Sequence, residues 1–194
     1  GDGIEAVFTE LGVDVVVSGG QTQNPSTNDF LDAFAQINAE HIFVFPNNKN
    51  IILVANQAAS LVQGKQIIVM QSRNIAQGVS ALLSFDESAD AETNRATMED
   101  AMGHVTCIST THAVRDANVD GYDIRNGQAM GLVGGKIRTV GKDATEAVEK
   151  MLPLMKDASY ITIFYGEDVS EVDAEKVEAM GADTATDAEV VLPR

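Results

Sequence analysis

The chain has 194 residues, 44% of them apolar, which is enough to pack a core in one large domain or in two small lobes. Its 29 acidic and 13 basic side chains give a formal net charge of -16, which opposes phosphate backbones and anionic membrane surfaces and argues against nucleic acid as a partner. The apolar runs at 13–17, 42–45 and 67–70 are too short to span a bilayer, no secretory leader pattern opens the chain, and the single Cys107 excludes an internal disulfide, so no membrane insertion and a cytoplasmic setting are expected.

In the first 86 residues, short β-branched runs alternate with helical stretches. "VDVVV" (13–17), "HIFVF" (41–45) and "QIIVM" (66–70) read as three nearly continuous apolar strands of a parallel sheet covered on both faces. Helices are predicted at 3–11, 27–38, 49–63 and 74–84, the second opened by Ser26 with Asp29 three residues on, a weaker form of the capping box. Residues 87–103, "ESADAETNRATMEDAMG", read as an acidic connecting helix between lobes 1–86 and 104–194. The second lobe opens with a strand in "TCISTTHAVRD". Asn126-Gly127 and Gly134-Gly135 then predict two tight hairpins, since both dipeptides tolerate positive φ. Asp143 and Glu146 form a second capping box, and Pro153 bends or shortens the helix that follows. "YITIFYG" (160–166) reads as a strand, 170–180 as a helix closed by Gly181, and "AEVVLP" as a last edge. The predicted fold class is α/β and two-lobed, with a parallel sheet first and a mixed α+β lobe with hairpins second.

Ligands of parallel α/β sheets sit outside the carboxyl ends of the strands, where loops converge and helix N-termini point inward. Three polar loops are expected there. "SGGQTQNPST" offers Ser18, Gly19, Gly20, Gln21, Thr22, Asn24, Ser26 and Thr27; "PNNKN" offers Asn47, Asn48, Lys49 and Asn50; "QSRNIAQG" offers Arg73. Amides, hydroxyls and two cations beside helix starts suit an anion or a carboxylate, although each loop taken alone reads equally as turns and caps. Neither a P-loop nor a dinucleotide fingerprint is present. His104, Cys107 and His112 match no common zinc spacing, so no metal is expected, and no nucleophile–base pair emerges among the three histidines.

"VVSGGQTQNPST", "FVFPNNKNIILVANQAA", "AQGVSALLSFD", "HAVRDANVDGYDI" with "GKI", and "ITIFYGEDVS" resemble, in order and spacing, the C-terminal region of the fatty acid kinase A (dihydroxyacetone-kinase-like) family of bacteria. The sequence departs from the family pattern at His112, at Gln71-Ser72-Arg73 and after Pro193. The resemblance implies a DegV-like two-lobed architecture and a non-catalytic domain of a modular kinase. The parent kinase phosphorylates fatty acids presented by a separate DegV-type binding protein, and its ATP and magnesium belong to a domain not in this chain. The start at Gly1 without Met fits a piece of such a longer protein. The expected partners are the DegV-type carrier and the other kinase domains, with a homodimer left open. The three loops together with Arg115 and Asp116 are the expected docking surface. The alternative is a binding module that itself holds a fatty acid or a small anion.

Overall fold

The structure, a computed structural model, describes residues 2–19, 24–166 and 169–191. It divides into two compact units, Gly1–Val105 and Thr106–Arg194.

In the first unit, α1 (Asp2–Glu10) precedes α2 (Thr27–Gln36), β1 (His41–Val44), α3 (Ile52–Leu61), β2 (Gln66–Val69), α4 (Ile75–Leu83) and α5 (Ala91–Gly103). β1 and β2 pair in parallel, His41 opposite Gln66 through Val44 opposite Val69. Successive side chains on a strand face opposite sides. Ile42 and Val44 therefore enter one core with Phe30 and Phe34 of α2 and Ala55 and Ala58 of α3, and Ile67 and Val69 pack against it. Phe43 and Phe45 pack on the other core, which joins Ile68 and Met70 to Ala81 of α4 and Met98 and Met102 of α5. This two-sided cover is what makes both strands read as unbroken apolar runs.

The expected third strand at 13–17 does not form. Gly12 turns the chain at φ +87, the Val13 N–H returns to the Phe8 carbonyl at the end of α1, and Val17 packs against the first core without joining a ladder. The acidic segment expected to connect two lobes belongs to the first unit. Its helix α5 buries Met98 and Met102, four residues apart, on the second core. Asn94 of α5 is buried and ties down the preceding loop. Its Oδ1 accepts from the Asp86 N–H at 2.9 Å, and its Nδ2 donates to the Asp86 and Ala89 carbonyls at 2.7 and 3.4 Å.

The second unit holds β3 (Ile108–His112), β4 (Ala117–Val119), β5 (Tyr122–Ile124), β6 (Ala129–Val133), β7 (Lys136–Gly141), α6 (Ala144–Glu149), a 3-10 turn at Leu152–Leu154, β8 (Tyr160–Thr162), α7 (Glu171–Thr184) and β9 (Glu189–Val191). β3, β6 and β7 form an antiparallel sheet in that order, β4 and β5 a hairpin, and β8 and β9 a parallel pair. Gly134-Gly135 makes the tight turn between β6 and β7, with φ of +59 and +81. Asn126-Gly127 does not close a two-residue hairpin. Gly127 donates to the Ala113 carbonyl in the link from β5 to β6, and the other short hairpin turns at Asp120-Gly121, with φ of +54 and +83. Gly181 does not end α7; it lies inside the helix, where Ile161 and Val190 come within 3.8 and 3.9 Å of the position of a Cβ.

β7 pairs only with β6 among the described residues, and side chains meet the polar groups of its other edge. Asp120 Oδ2 accepts from the Ile137 N–H at 3.0 Å, the Tyr122 hydroxyl donates to the Arg138 carbonyl, and Lys150 Nζ donates to the Val140 carbonyl at 2.8 Å.

Capping carboxylates recur in both units. The backbone N–H and then the hydroxyl of Ser26 hold Asp29 below the usual carboxylate range. Thr93 does the same for Asp90, while Lys176 and then Ser170 do so for Asp173. A carboxylate with a lowered folded pKa adds stability above its unfolded value and loses that contribution as pH falls through the folded one. The denaturant midpoint is therefore expected to stay level from about pH 7 to about 5 and to fall below about pH 4. A midpoint that rises on acidification would mean that relief of self-repulsion at a net charge of -16 outweighs the caps.

Candidate functional site

The register of the two parallel strands builds the site. Val44 faces Val69, and the same offset carried three residues further sets Asn47 against Ser72. The Asn47 N–H donates to Ser72 Oγ at 3.0 Å, and Ser72 is fully buried although polar. The loops after β1 and β2 are thus locked together at the carboxyl edge of the sheet, the position where such folds present their ligand loops. Asn47 sits at φ +53, a left-handed conformation that Asn tolerates better than most residues. Its side chain lies over α4, where a Cβ on Gly78 would come within 2.4 Å of Oδ1. That Oδ1 is buried and has no hydrogen-bond partner.

The other loop residues divide between local structure and open surface. Asn48 Oδ1 accepts from the Asn50 N–H at 2.9 Å, an Asx turn that leads into α3. Asn74 caps α4 by accepting from the Gln77 N–H at 2.9 Å, and Gln77 Oε1 accepts from the Arg73 N–H at 2.8 Å. Lys49, Asn50 and Arg73 are exposed, and neither cation pairs with a carboxylate among the described residues. Leu53, in the first turn of α3, is 77% exposed beside them.

The first polar loop contributes less than expected. Gly20, Gln21 and Thr22 lie outside the described residues; Ser18, Gly19 and Asn24 are exposed. Ser26 and Asp29 complete both halves of the capping box: Ser26 Oγ accepts from the Asp29 N–H at 3.3 Å, and Asp29 Oδ2 accepts from the Ser26 N–H at 2.7 Å. The N-terminus of α2, whose first residue is Thr27, is therefore already served by its own carboxylate and has no need of an external anion. Val17 and Phe30, on either side of this loop, pack in the same core as Val44 and Ile51, which flank Pro46–Asn50.

Arg115 and Asp116 belong to the second unit, in a bend between β3 and β4 rather than on a strand, and both are exposed. Alternation on a strand, which would bury one of the pair, does not apply in a bend. Asp116 accepts from the Asn126 N–H at 2.8 Å and from Arg125 at 3.3 Å, so it staples two loops, and these contacts hold its carboxyl below the usual range. Sequence reasoning missed Ser72, Gly78 and Arg125. The polar Ser72 that ends an apolar run was the one local signal for the first of them.

No catalytic set emerges from the geometry. Burial pushes the Cys107 thiol up, away from thiolate reactivity. His104 contacts the Asp100 carbonyl at 2.9 Å, and His41 and His112 are exposed. Among the described residues no three His, Cys, Asp or Glu side chains are grouped to hold a metal, and no helix is long and apolar enough to cross a membrane.

The architecture is that of the DegV family. A DegV family protein from Corynebacterium glutamicum, Cg2579, superposes with a TM-score of 0.68 over 97% of this chain and 84% of its own, at 13% identity, a likeness of fold alone. The chain belongs to the FakA-like C-terminal family of fatty acid kinases, whose profile matches residues 1–194. The Bacillus subtilis (strain 168) protein YloV is 42% identical over 194 residues, 99% of this chain and 35% of YloV. An uncharacterized protein of Staphylococcus aureus (strain USA300) is 36% identical over 173 residues, 88% of this chain and 31% of that protein. The chain thus spans about a third of the length of these curated relatives.

Proposed function

We infer that this chain is the non-catalytic C-terminal domain of a cytoplasmic fatty acid kinase and docks a DegV-type acyl-binding protein, so that a kinase domain elsewhere in the parent phosphorylates the acyl carboxylate. The observation that carries this reading is the family match over the whole chain. The residues present offer no nucleotide site of their own: the sequence has no P-loop, and the described carboxylates form no cluster for magnesium. ATP and magnesium are accordingly assigned to the other domain. The part left to this chain is recognition. Lys49 and Arg73, unpaired at the strand-end edge, and the exposed Leu53 form a surface with two cations and an apolar contact, set on loops that Ser72 and Gly78 hold rigid. Nucleic acid and membrane remain poor partners for a chain at -16.

The test is titration calorimetry of the chain with an acyl-loaded DegV-type protein and, separately, with Mg-ATP. Binding of the carrier is expected, weakened at least tenfold by the pair Lys49→Glu and Arg73→Glu, with no heat from Mg-ATP. Carrier binding that ignores the double substitution, or an acyl chain found on the purified chain by native mass spectrometry, would favour the second reading, a module that itself holds a fatty acid. The orphan Asn47 Oδ1 is the observation on that side, since a buried acceptor without a donor is costly.

A further inference from the structure

On a regular strand, neighbouring residues face opposite sides, yet Arg138 and Thr139 of β7 both line one groove. The ladder explains how. Gly131 pairs with Thr139 and Leu132 with Ile137, so Arg138 is an extra residue, a β-bulge that redirects its side chain. The groove, of about 420 Å³, is completed by Lys150, Met151, Pro153 and Leu154. Met151 is fully buried beneath it, and Gly131 is what lets it lie there, because a Cβ at that position would come within 2.5 Å of Met151 Cε. Leu154 on the rim is 55% exposed.

The charges here run against the rest of the protein. Residues 124–142 contain Arg125, Lys136, Arg138 and Lys142 and not one carboxylate, in a chain of net charge -16. The Lys150 ammonium is already held by Glu146 and the Val140 carbonyl, both at 2.8 Å. The Arg138 guanidinium is exposed and has no ion-pair partner among the described residues. A free guanidinium at a bulge, beside an apolar floor and an exposed leucine, matches a carboxylate with an apolar neighbour.

We propose that this groove docks a short acidic–apolar segment of a partner protein, with a carboxylate on Arg138 and the adjoining apolar side chain against Leu154 and Pro153 over Met151. The groove shares no residue with the strand-end loops, so the proposal stands or falls apart from the carrier-docking reading. The favourable term is charge complementarity at an otherwise acidic surface, and salt weakens the association.

The experiment is amide NMR of the full chain titrated with the acetylated and amidated peptide Glu-Leu-Glu-Leu, with its Gln-Leu-Gln-Leu counterpart, and with octanoate. The Glu peptide is expected to shift the amides of 131–139 and 150–155 in a saturable way. Affinity should fall at least tenfold for the Gln peptide and for Arg138→Gln, and several-fold for Leu154→Ser; both substitutions are at exposed positions that leave the core intact. The absence of saturable shifts, or equal binding by the Gln peptide or by Arg138→Gln, would overturn the proposal. So would octanoate shifting these amides where the Glu peptide does not, because the groove would then take a small amphiphile rather than a protein segment.

Discussion

Replacing Gly141 by Ala should destabilise the second unit by about 1–3 kcal/mol, the usual cost of forcing a methyl group into a packed site. Gly141 ends β7 and is buried under the first turn of α6. A Cβ there would lie 2.8 Å from the Ala147 nitrogen and 3.0 Å from the Asp143 oxygen, the donor and acceptor of a hydrogen bond at the start of α6. Both are backbone atoms, so no rotamer change relieves the clash; the helix itself has to move. For a unit of this size the loss corresponds to a fall in melting temperature of about 4 °C or more, readable by calorimetry. Gly103→Ala is the control. It meets no atom within 4 Å near the end of α5 and is expected to be neutral or mildly stabilising, since Ala is the better helix former. Equal effects of the two substitutions would assign the cost to the loss of glycine as such and not to the contact with α6.

Asn94→Leu should cost the first unit about 1–3 kcal/mol, because it leaves the Asp86 N–H and carbonyl without the partner that satisfies both. Asn94→Asp separates the two halves of that contact. The retained oxygen still accepts from the Asp86 N–H, while the other now faces the Asp86 carbonyl without a proton between them. Such a carboxyl binds its proton more tightly when folded than when unfolded. The penalty of the Asp variant is therefore fully felt well above its folded pKa and shrinks as pH falls below it. Denaturant unfolding of the Leu and Asp variants across pH reads this directly: the Leu penalty stays constant relative to the parent chain, and the Asp penalty declines in acid. A pH-independent Asp penalty would mean that the amide does not bridge these groups.

What the sequence made legible was local. The apolar runs at 41–45 and 66–70 gave β1 and β2, the caps at Ser26 and Asp143 gave the starts of α2 and α6, and Gly134-Gly135 gave one hairpin turn. What it hid was partnership. "VDVVV" has the composition of a strand, but it is held to α1 by a turn at Gly12, and residue type does not reveal which run finds a neighbour. Asn126-Gly127 and Asp120-Gly121 carry the same turn signal. Which of them closes a hairpin depends on β3 reaching across to β6, a pairing between segments distant in sequence. The candidate site was hidden for the same reason. Asn47 and Ser72 are 25 residues apart and meet only because of the parallel register, so one was visible as a loop amide and the other passed as an ordinary serine. Arg115 and Asp116 were read as one strand pair, but a bend separates them from any sheet, and the contacts of Asp116 come from Arg125 and Asn126.

The side chains that meet the outer edge of β7 matter beyond the single molecule. A bare strand edge is a template onto which another chain can add itself, and growth of that kind leads to filaments. With Asp120 holding the Ile137 N–H, Tyr122 the Arg138 carbonyl and Lys150 the Val140 carbonyl, an incoming strand finds no free rung at those three positions. The β4–β5 hairpin, which contributes no residue to either proposed binding surface, thereby serves as a guard that keeps the protein dispersed when it is crowded.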